Sequence, residues 1–279
     1  TSTFTSILKI QKILKKDLKN IPKMKSVLAK EVSKILPMPV SEMQFDYTLV
    51  NEEKYKKLGD EDEAVDVRFL ITAATNSFVK KYTEIFNQAG IQLVNLDFEP
   101  FALVRSLVGN DKSLVLIVDI GEKATDISIV DNGVPVYNRS VEVGGKDVTK
   151  KLADVMNVTI SEAEQYKIDL PILMEQQKMK DMPKPIEMVI APMIYEVKFL
   201  IKTYYEQVSK EKQVDRIVLT GGGASLGGIQ DYFVNQLNIR TYVGDPWARV
   251  IYPQELSPVL REIGPRFATA IGLAMTKIK

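Results

Sequence analysis

Apolar positions along the chain switch repeatedly between a two-residue and a three-to-four-residue spacing, and the switches predict alternating strands and helices. Phe4–Ile10 reads as a strand. From Lys15 to Leu36, apolar residues recur at Leu18, Ile21, Leu28, Val32 and Ile35, a helical spacing that Pro37 and Pro39 end. Strands follow at Met43–Val50 and Val65–Ala73, separated by the polar stretch Asn51–Glu63. A helix Ser77–Ala89, closed by Gly90, precedes a strand Leu93–Leu96 and a short helix Pro100–Leu107.

Beyond Asn110 the pattern is that of an open sheet. Leu114–Asp119 is an apolar strand, followed by Asp126–Val130, the turn Asn132-Gly133 and Val134–Val143. An Asn-Gly pair between apolar runs is a strong hairpin signal. Gly144-Gly145 opens a helix to about Met156. Ser161, with Glu164 three positions on, predicts the capping box of another. Met182–Pro185 introduces a long helix, Glu187 to Lys212, striped by Ile190, Ile194, Val197, Ile201, Tyr204 and Val208. A strand Arg216–Leu219, a helix Ser225–Leu237, a strand Arg240–Val243 and a helix Pro265–Lys279 complete the chain.

Composition narrows the chemistry. The 279 residues are 45% hydrophobic and 26% charged, with a formal net charge of +1, which provides no global drive toward nucleic acid. With no cysteine and no histidine, thiolate nucleophiles, disulfides and imidazole bases are excluded. Carboxylates, lysines, backbone dipoles and a carboxylate-bound cation remain, the tools of phosphoryl chemistry. No apolar stretch reaches the roughly 20 residues needed to span a bilayer, and Thr1 begins no signal peptide, so the expected location is cytosolic. Lysines 15, 16, 19, 23, 25, 30 and 34 form a basic run expected to be solvated, without the interleaved aromatics of a single-strand nucleic-acid platform. Asp60–Glu63 reads as a solvated acidic loop.

Two glycine-bearing turns are the main candidates for a site. One runs Asp119-Ile120-Gly121-Glu122-Lys123-Ala124-Thr125-Asp126, the other Thr220-Gly221-Gly222-Gly223-Ala224-Ser225. Each follows a predicted buried strand and so lies at its carboxyl end, where open α/β sheets bind ligands. Asp119 can cap a strand-end turn or face a hydrated Mg²⁺. The glycine triplet can serve as a tight turn or admit a flat or anionic ligand, which better explains three glycines in a row. Glu164 and Lys167, at i and i+3, suit a surface ion pair. Glu99-Pro100 suits a helix start.

The order of these elements is that of a known family. Asp119-Ile120-Gly121…Thr125-Asp126, Val143-Gly144-Gly145, Ser161–Lys167, Gly221–Ala224 and Arg266-Phe267-Ala268-Thr269-Ala270-Ile271-Gly272-Leu273-Ala274 together resemble the actin-like ATPase superfamily. Within it, Ile35-Leu36-Pro37-Met38-Pro39-Val40…Asp46-Tyr47 and Asp97-Phe98-Glu99-Pro100-Phe101-Ala102-Leu103 resemble the type IV pilus PilM family, which is related to FtsA. The resemblance implies an α/β, two-lobe actin-like (ribonuclease H-like) fold. Residues 1–92 would be an inserted small α+β subdomain and 93–112 a connecting strand and helix. Residues 113–279 would be the second lobe, with 160–214 its helical subdomain. The family's first phosphate loop, on its opening strand, has no counterpart here, so that strand region is expected to be missing and Thr1 to fall inside the fold.

For the site, the resemblance implies ATP and Mg²⁺. Gly121, Glu122, Lys123, Ala124 and Thr125 would form the second phosphate loop, with Asp119 near the metal. Gly221, Gly222, Gly223 and Ala224 would form the adenosine turn, Glu164 and Lys167 would flank the nucleoside, and Glu99 would orient water. The implied role is an ATP-binding scaffold with at most weak ATPase activity, cytoplasmic and peripheral to the inner membrane. It would dock the cytoplasmic peptide of a PilN-like membrane protein, meet other pilus assembly components and possess the capacity to self-associate. A polymerising FtsA-like protein and a small-molecule kinase of the same superfamily are the alternatives. The first is disfavoured because Thr276-Lys277-Ile278-Lys279 ends without a basic amphipathic helix, the second because no substrate-facing catalytic carboxylate is placed.

Overall fold

The computed structural model of the chain describes residues 3–18, 20–50, 64–179, 181–209 and 211–276. The expected loop Asn51–Glu63 with its acidic end, Lys19 of the basic run, and the last three residues of the expected terminal helix lie outside them. The described residues divide into two compact units, one running to Phe98 and the other from Glu99 onward.

In the first unit, β1 (Thr3–Leu14) and β2 (Met43–Leu49) both pair antiparallel with β3 (Ala64–Thr75), giving the order β1-β3-β2. The β1 register slips between Ile10 and Ile13, where Lys12 adopts φ 57°, and the strand resumes beyond the irregularity. The expected single helix from Lys15 to Leu36 is two helices, α1 (Lys15–Leu18) and α2 (Ile21–Val32). Asn20 makes the break: its side chain accepts the Lys23 amide at 3.2 Å, a cap that competes with helix continuation. The four-residue spacing of Met24, Leu28 and Val32 puts all three on one face, packed against Leu8, Ile13, Val67, Phe69 and Ile71. The basic run is solvated as expected at Lys16, Lys23, Lys25, Lys30 and Lys34, with Lys15 buried and Lys23 and Lys34 paired at the surface with Asp17 and Glu31.

Helix α3 (Asn76–Gln88) is capped by Thr75, whose hydroxyl accepts the Phe78 amide, and Gly90 follows at φ 68°. The expected strand Leu93–Leu96 is irregular backbone. Its Val94 and Leu96 are exposed and it pairs with no described strand, so a short apolar run here lacks the partner that would make it a strand.

The second unit is a five-stranded sheet of order β6-β5-β4-β7-β8. β4 (Val115–Ile120), β7 (Arg216–Thr220) and β8 (Thr241–Val243) run parallel, while β5 (Thr125–Asp131) and β6 (Val134–Val141) are antiparallel neighbours. Asn132 and Gly133 both take positive φ in the β5–β6 turn, as the Asn-Gly pair predicts. Helix α4 (Glu99–Leu103) continues into a wide π turn (Val104–Val108), where Arg249 donates to the Ser106 and Val108 carbonyls.

This segment and the terminal helix share one face of the sheet: Leu103, Val104, Leu107 and Ala268 pack on Val115, Ile117 and Val218. Strand alternation sends Leu116 and Val118 to the other side. The remaining helices are α5 (Gly145–Met156), α6 (Ile160–Gln176), α7 (Lys184–Gln207), α8 (Ile229–Leu237) and α9 (Ser257–Ala274). The buried Asp131 at the end of β5 accepts the Tyr204 hydroxyl at 3.0 Å and pairs with Lys212, tying α7 and the segment after it to the sheet.

Three helix boundaries differ from expectation, the first being α7, which ends at Gln207 instead of Lys212. Instead of Ser225–Leu237, a short 3₁₀ turn (Gly222–Ser225) precedes α8, because Gly227 packs against Pro171 and Leu170 and Gly228 takes φ 77°. Instead of Pro265, α9 begins at Ser257, with Pro265 inside it.

Candidate functional site

Strands β4 and β7 are parallel neighbours, with Asp119 opposite Thr220, so both glycine turns leave the same end of the sheet side by side. Asp119 shares its pleat face with Val115 and Ile117. A Cβ on Gly221, which sits at φ 80°, would overlap Asp119 Oδ1 and the Ile120 carbonyl; one on Gly223 would overlap the Ile120 side chain. The surplus of glycines therefore has a packing origin at both positions, correcting the expectation that ligand approach explains it. Gly222, between them, is exposed and is the member of the triplet that opens outward. Ala224 is buried and donates to the Gly221 carbonyl. The turn is stitched to α9 through the Pro265 carbonyl, which accepts the Gly221 amide and the Thr220 hydroxyl, each at 3.0 Å.

The β4–β5 turn is gripped from the other side by α5. Gly145 and Lys146 amides donate to the carbonyls of Gly121 (2.9 Å) and Glu122 (2.8 Å), and a Cβ on Gly144 would overlap the Glu122–Lys123 peptide. These first-turn amides of α5 thus bond protein carbonyls. Glu122 and Lys123 are exposed, and the Ala124 carbonyl accepts the Gly121 amide at 2.9 Å. Thr125 is fully buried and donates to the Val143 carbonyl at 2.7 Å, so its hydroxyl pins the hairpin and does not reach the open side of the turn.

The expected capping box at Ser161 and Glu164 is absent, because Thr159 and Glu162 form it two residues earlier. Glu164 is freed for another role. Its Oε2 accepts Thr149 Oγ1 at 2.5 Å and Lys167 Nζ at 2.7 Å, while Lys167 also donates to Thr149 Oγ1 (2.8 Å) and the Gly145 carbonyl (3.2 Å). Burial alone would raise the Glu164 acid; the bonds from Lys167 and Thr149 outweigh it and hold the carboxyl below its ordinary value. Thr149 is a member that sequence reading missed. Its one available signal is its position one turn into a helix opened by Gly144-Gly145.

At the opposite end, Thr269 donates to Glu99 Oε1 at 2.9 Å. Asp119 makes no hydrogen bond or ion pair among the described residues, and burial, then the charges of Glu99 and Asp126, push its carboxyl up to about 7. Among the described residues no group of three or more acidic side chains is placed to hold a metal unaided. An unpaired, largely buried carboxylate under accumulated negative charge fits a cation that completes its shell with phosphate oxygens and water, the usual manner of Mg²⁺.

The contacts, joined between Arg266 and Glu164 by charge alone, make a ring. It passes from Asp119 to Gly221 and Gly222, to Arg266, whose charge reaches Glu164, on to Lys167 and Gly145, and back through Gly121 to the end of β4. Asp119, Gly121, Glu164, Lys167, Gly221 and Gly222 belong to this ring and Glu99 acts on Asp119 through its charge, whereas Thr125 and Ala224 are buried. A groove of about 570 Å³, lined by Lys198, Ile201, Lys202, Tyr205, Glu206, Leu237 and Ile239, involves none of them.

A sheet ordered in this way, with paired glycine turns at one end and a helix crossing behind them, fits the actin-like fold, and structural comparison gives the same class. The chain matches the solved structure of a PilM-PilN type IV pilus biogenesis complex with TM-score 0.76 and 23% identity, covering 98% of this chain and 76% of that one. It also matches MreB5 of Spiroplasma citri bound to AMPPNP, with TM-score 0.51 and 16% identity over 72% of this chain and 64% of that one. The chain belongs to the family of type IV pilus assembly protein PilM, whose pattern it matches over residues 5–278. Among curated relatives, cell division protein FtsA of Neisseria meningitidis is 24% identical over 230 residues, 75% of this chain and 54% of that protein. The chain spans about half the length of the curated relatives it matches. No described helix is long and apolar enough to cross a membrane.

Proposed function

We propose that the chain carries the nucleotide half-site of an actin-like scaffold of the type IV pilus machinery, binding ATP with Mg²⁺ in the ring between the two glycine turns. The observation carrying this reading is the placement of the unpaired Asp119 carboxylate against Gly221, with the Thr149–Glu164–Lys167 cluster closing the far side. Asp119 would hold the cation beside the phosphates, and the exposed turn Glu122–Lys123 would border them. Glu164 and Lys167 would flank the nucleoside. When bound, Mg²⁺ supplies neutralisation of phosphate charge. Glu99, held by Thr269, would orient water near the phosphates. Residues 1–92 would be the small inserted subdomain of this family.

The partner would be the cytoplasmic peptide of a PilN-like membrane protein, bringing the scaffold to the inner membrane from the cytoplasmic side; the likeness of this chain to a solved PilM-PilN complex supports that choice. Isothermal titration of Mg·ATP into the chain tests the site. The reading requires one saturable site, abolished or weakened at least tenfold by Asp119→Ala. Absence of binding, or binding indifferent to Asp119 and to Mg²⁺, overturns it.

A further inference from the structure

Arg266 opens the Arg266–Ala274 segment but is not among the candidate site residues of the sequence, yet it borders the Glu164 end of the ring. It lies on α9 one residue after Pro265, whose carbonyl anchors the glycine turn, so the turn and the arginine are fixed to the same turn of helix. Its Nε and Cγ lie 3.8 and 3.9 Å from where a Gly222 Cβ would sit, so the side chain flanks the open face of that glycine. The guanidinium makes no hydrogen bond, ion pair or ring contact among the described residues. Other arginines of this unit are engaged: Arg216 with Asp111, Asp215, Ser113 and Tyr242, and Arg249 with two carbonyls. Arg261 is also unengaged but is not among the atoms that meet the turn.

A planar, weakly hydrated cation beside an exposed glycine, with its donors unused, is suited to stack on an aromatic ring. Position decides which part of a nucleotide it meets. Gly221 faces Asp119 and Gly222 faces Arg266, so the two neighbours divide the turn into a cation-and-phosphate end and an end shared with Glu164. We propose that Arg266 is a base-selecting residue, its guanidinium stacking on the nucleobase over Gly222 and favouring purines, whose larger rings give it more area. This rests on the nucleotide reading above and deepens it.

The test titrates Mg·ATP and Mg·UTP into the chain and into Arg266→Ala and Arg266→Lys, with thermal unfolding of each. Arg266 is exposed and unpaired, so both variants should melt within about 2 °C of the parent. The parent should prefer ATP to UTP about tenfold or more. Arg266→Ala should lose most of that preference, and Arg266→Lys, which keeps charge but not the plane, should lose nearly as much. An equal fall for ATP and UTP would make Arg266 a phosphate ligand and overturn the proposal, as would unchanged ATP affinity or a parent without preference. If the parent binds neither nucleotide, the nucleotide reading itself falls and takes this proposal with it.

Discussion

Replacing Asp119 with Asn, which keeps size and removes charge, should stabilise the ligand-free chain increasingly as pH rises. The Asp119 carboxyl moves from 3.8 to about 7, first through burial and then through the charges of Glu99 and Asp126. The folded state therefore holds the proton more tightly than the unfolded state. The stability this gives is fully present below pH 3.8 and is lost as pH rises through about 7. A difference of that size corresponds to about 4 kcal/mol at most. Allowing for the side chain's residual exposure, the gain from Asp119→Asn should grow by about 2 kcal/mol between pH 5 and pH 8. Urea unfolding of both proteins at the two pH values measures it. A difference between them that does not change with pH would refute the placement of this carboxylate among uncompensated charges.

Other substitutions probe the frame of the site. Thr149→Val should remove the hydroxyl shared by Glu164 and Lys167, costing about 1–2 kcal/mol in thermal unfolding. Gly272→Ala should cost at least about 2 kcal/mol, because its Cβ would overlap the Ala102 carbonyl where α9 crosses α4; a melting temperature unchanged from the parent would contradict that crossing. Lys212→Met should strip the charge partner from the buried Asp131 and lower stability by about 2–3 kcal/mol in urea unfolding, although Tyr204 remains.

The strand ends were legible because the two signals coincide there: an apolar run that needs burial, then glycine and acid that cannot continue it. Asp119 and Gly221 consequently lie where their strands end, as the pattern implies. Cap choice was not legible. Thr159-x-x-Glu162 and Ser161-x-x-Glu164 carry the same spacing signature, and only the tertiary pull of Thr149 and Lys167 on Glu164 selects between them. The glycine triplet shows the opposite limit, since its surplus is explained by the neighbouring Asp119 and Ile120, a contact across strands distant in sequence. Leu93–Leu96 failed as a strand because β structure needs a partner as well as a composition. Arg266 lies in the segment that carries the family resemblance, yet nothing there marks a role for its own side chain; its meaning comes from the Pro265 carbonyl that fixes its helix to the turn.

Photolabelling with 8-azido-ATP and Mg²⁺, followed by peptide mapping, tests most directly whether a single hollow joins these elements. Label should fall on peptides holding Glu164–Lys167, Gly221–Ala224 or Arg266, and excess unlabelled Mg·ATP should suppress it. Modification concentrated instead on Lys198–Glu206, beside the separate groove, would mean that the acid-bearing hairpin and the neighbouring bend are architecture and that nucleotide is held elsewhere.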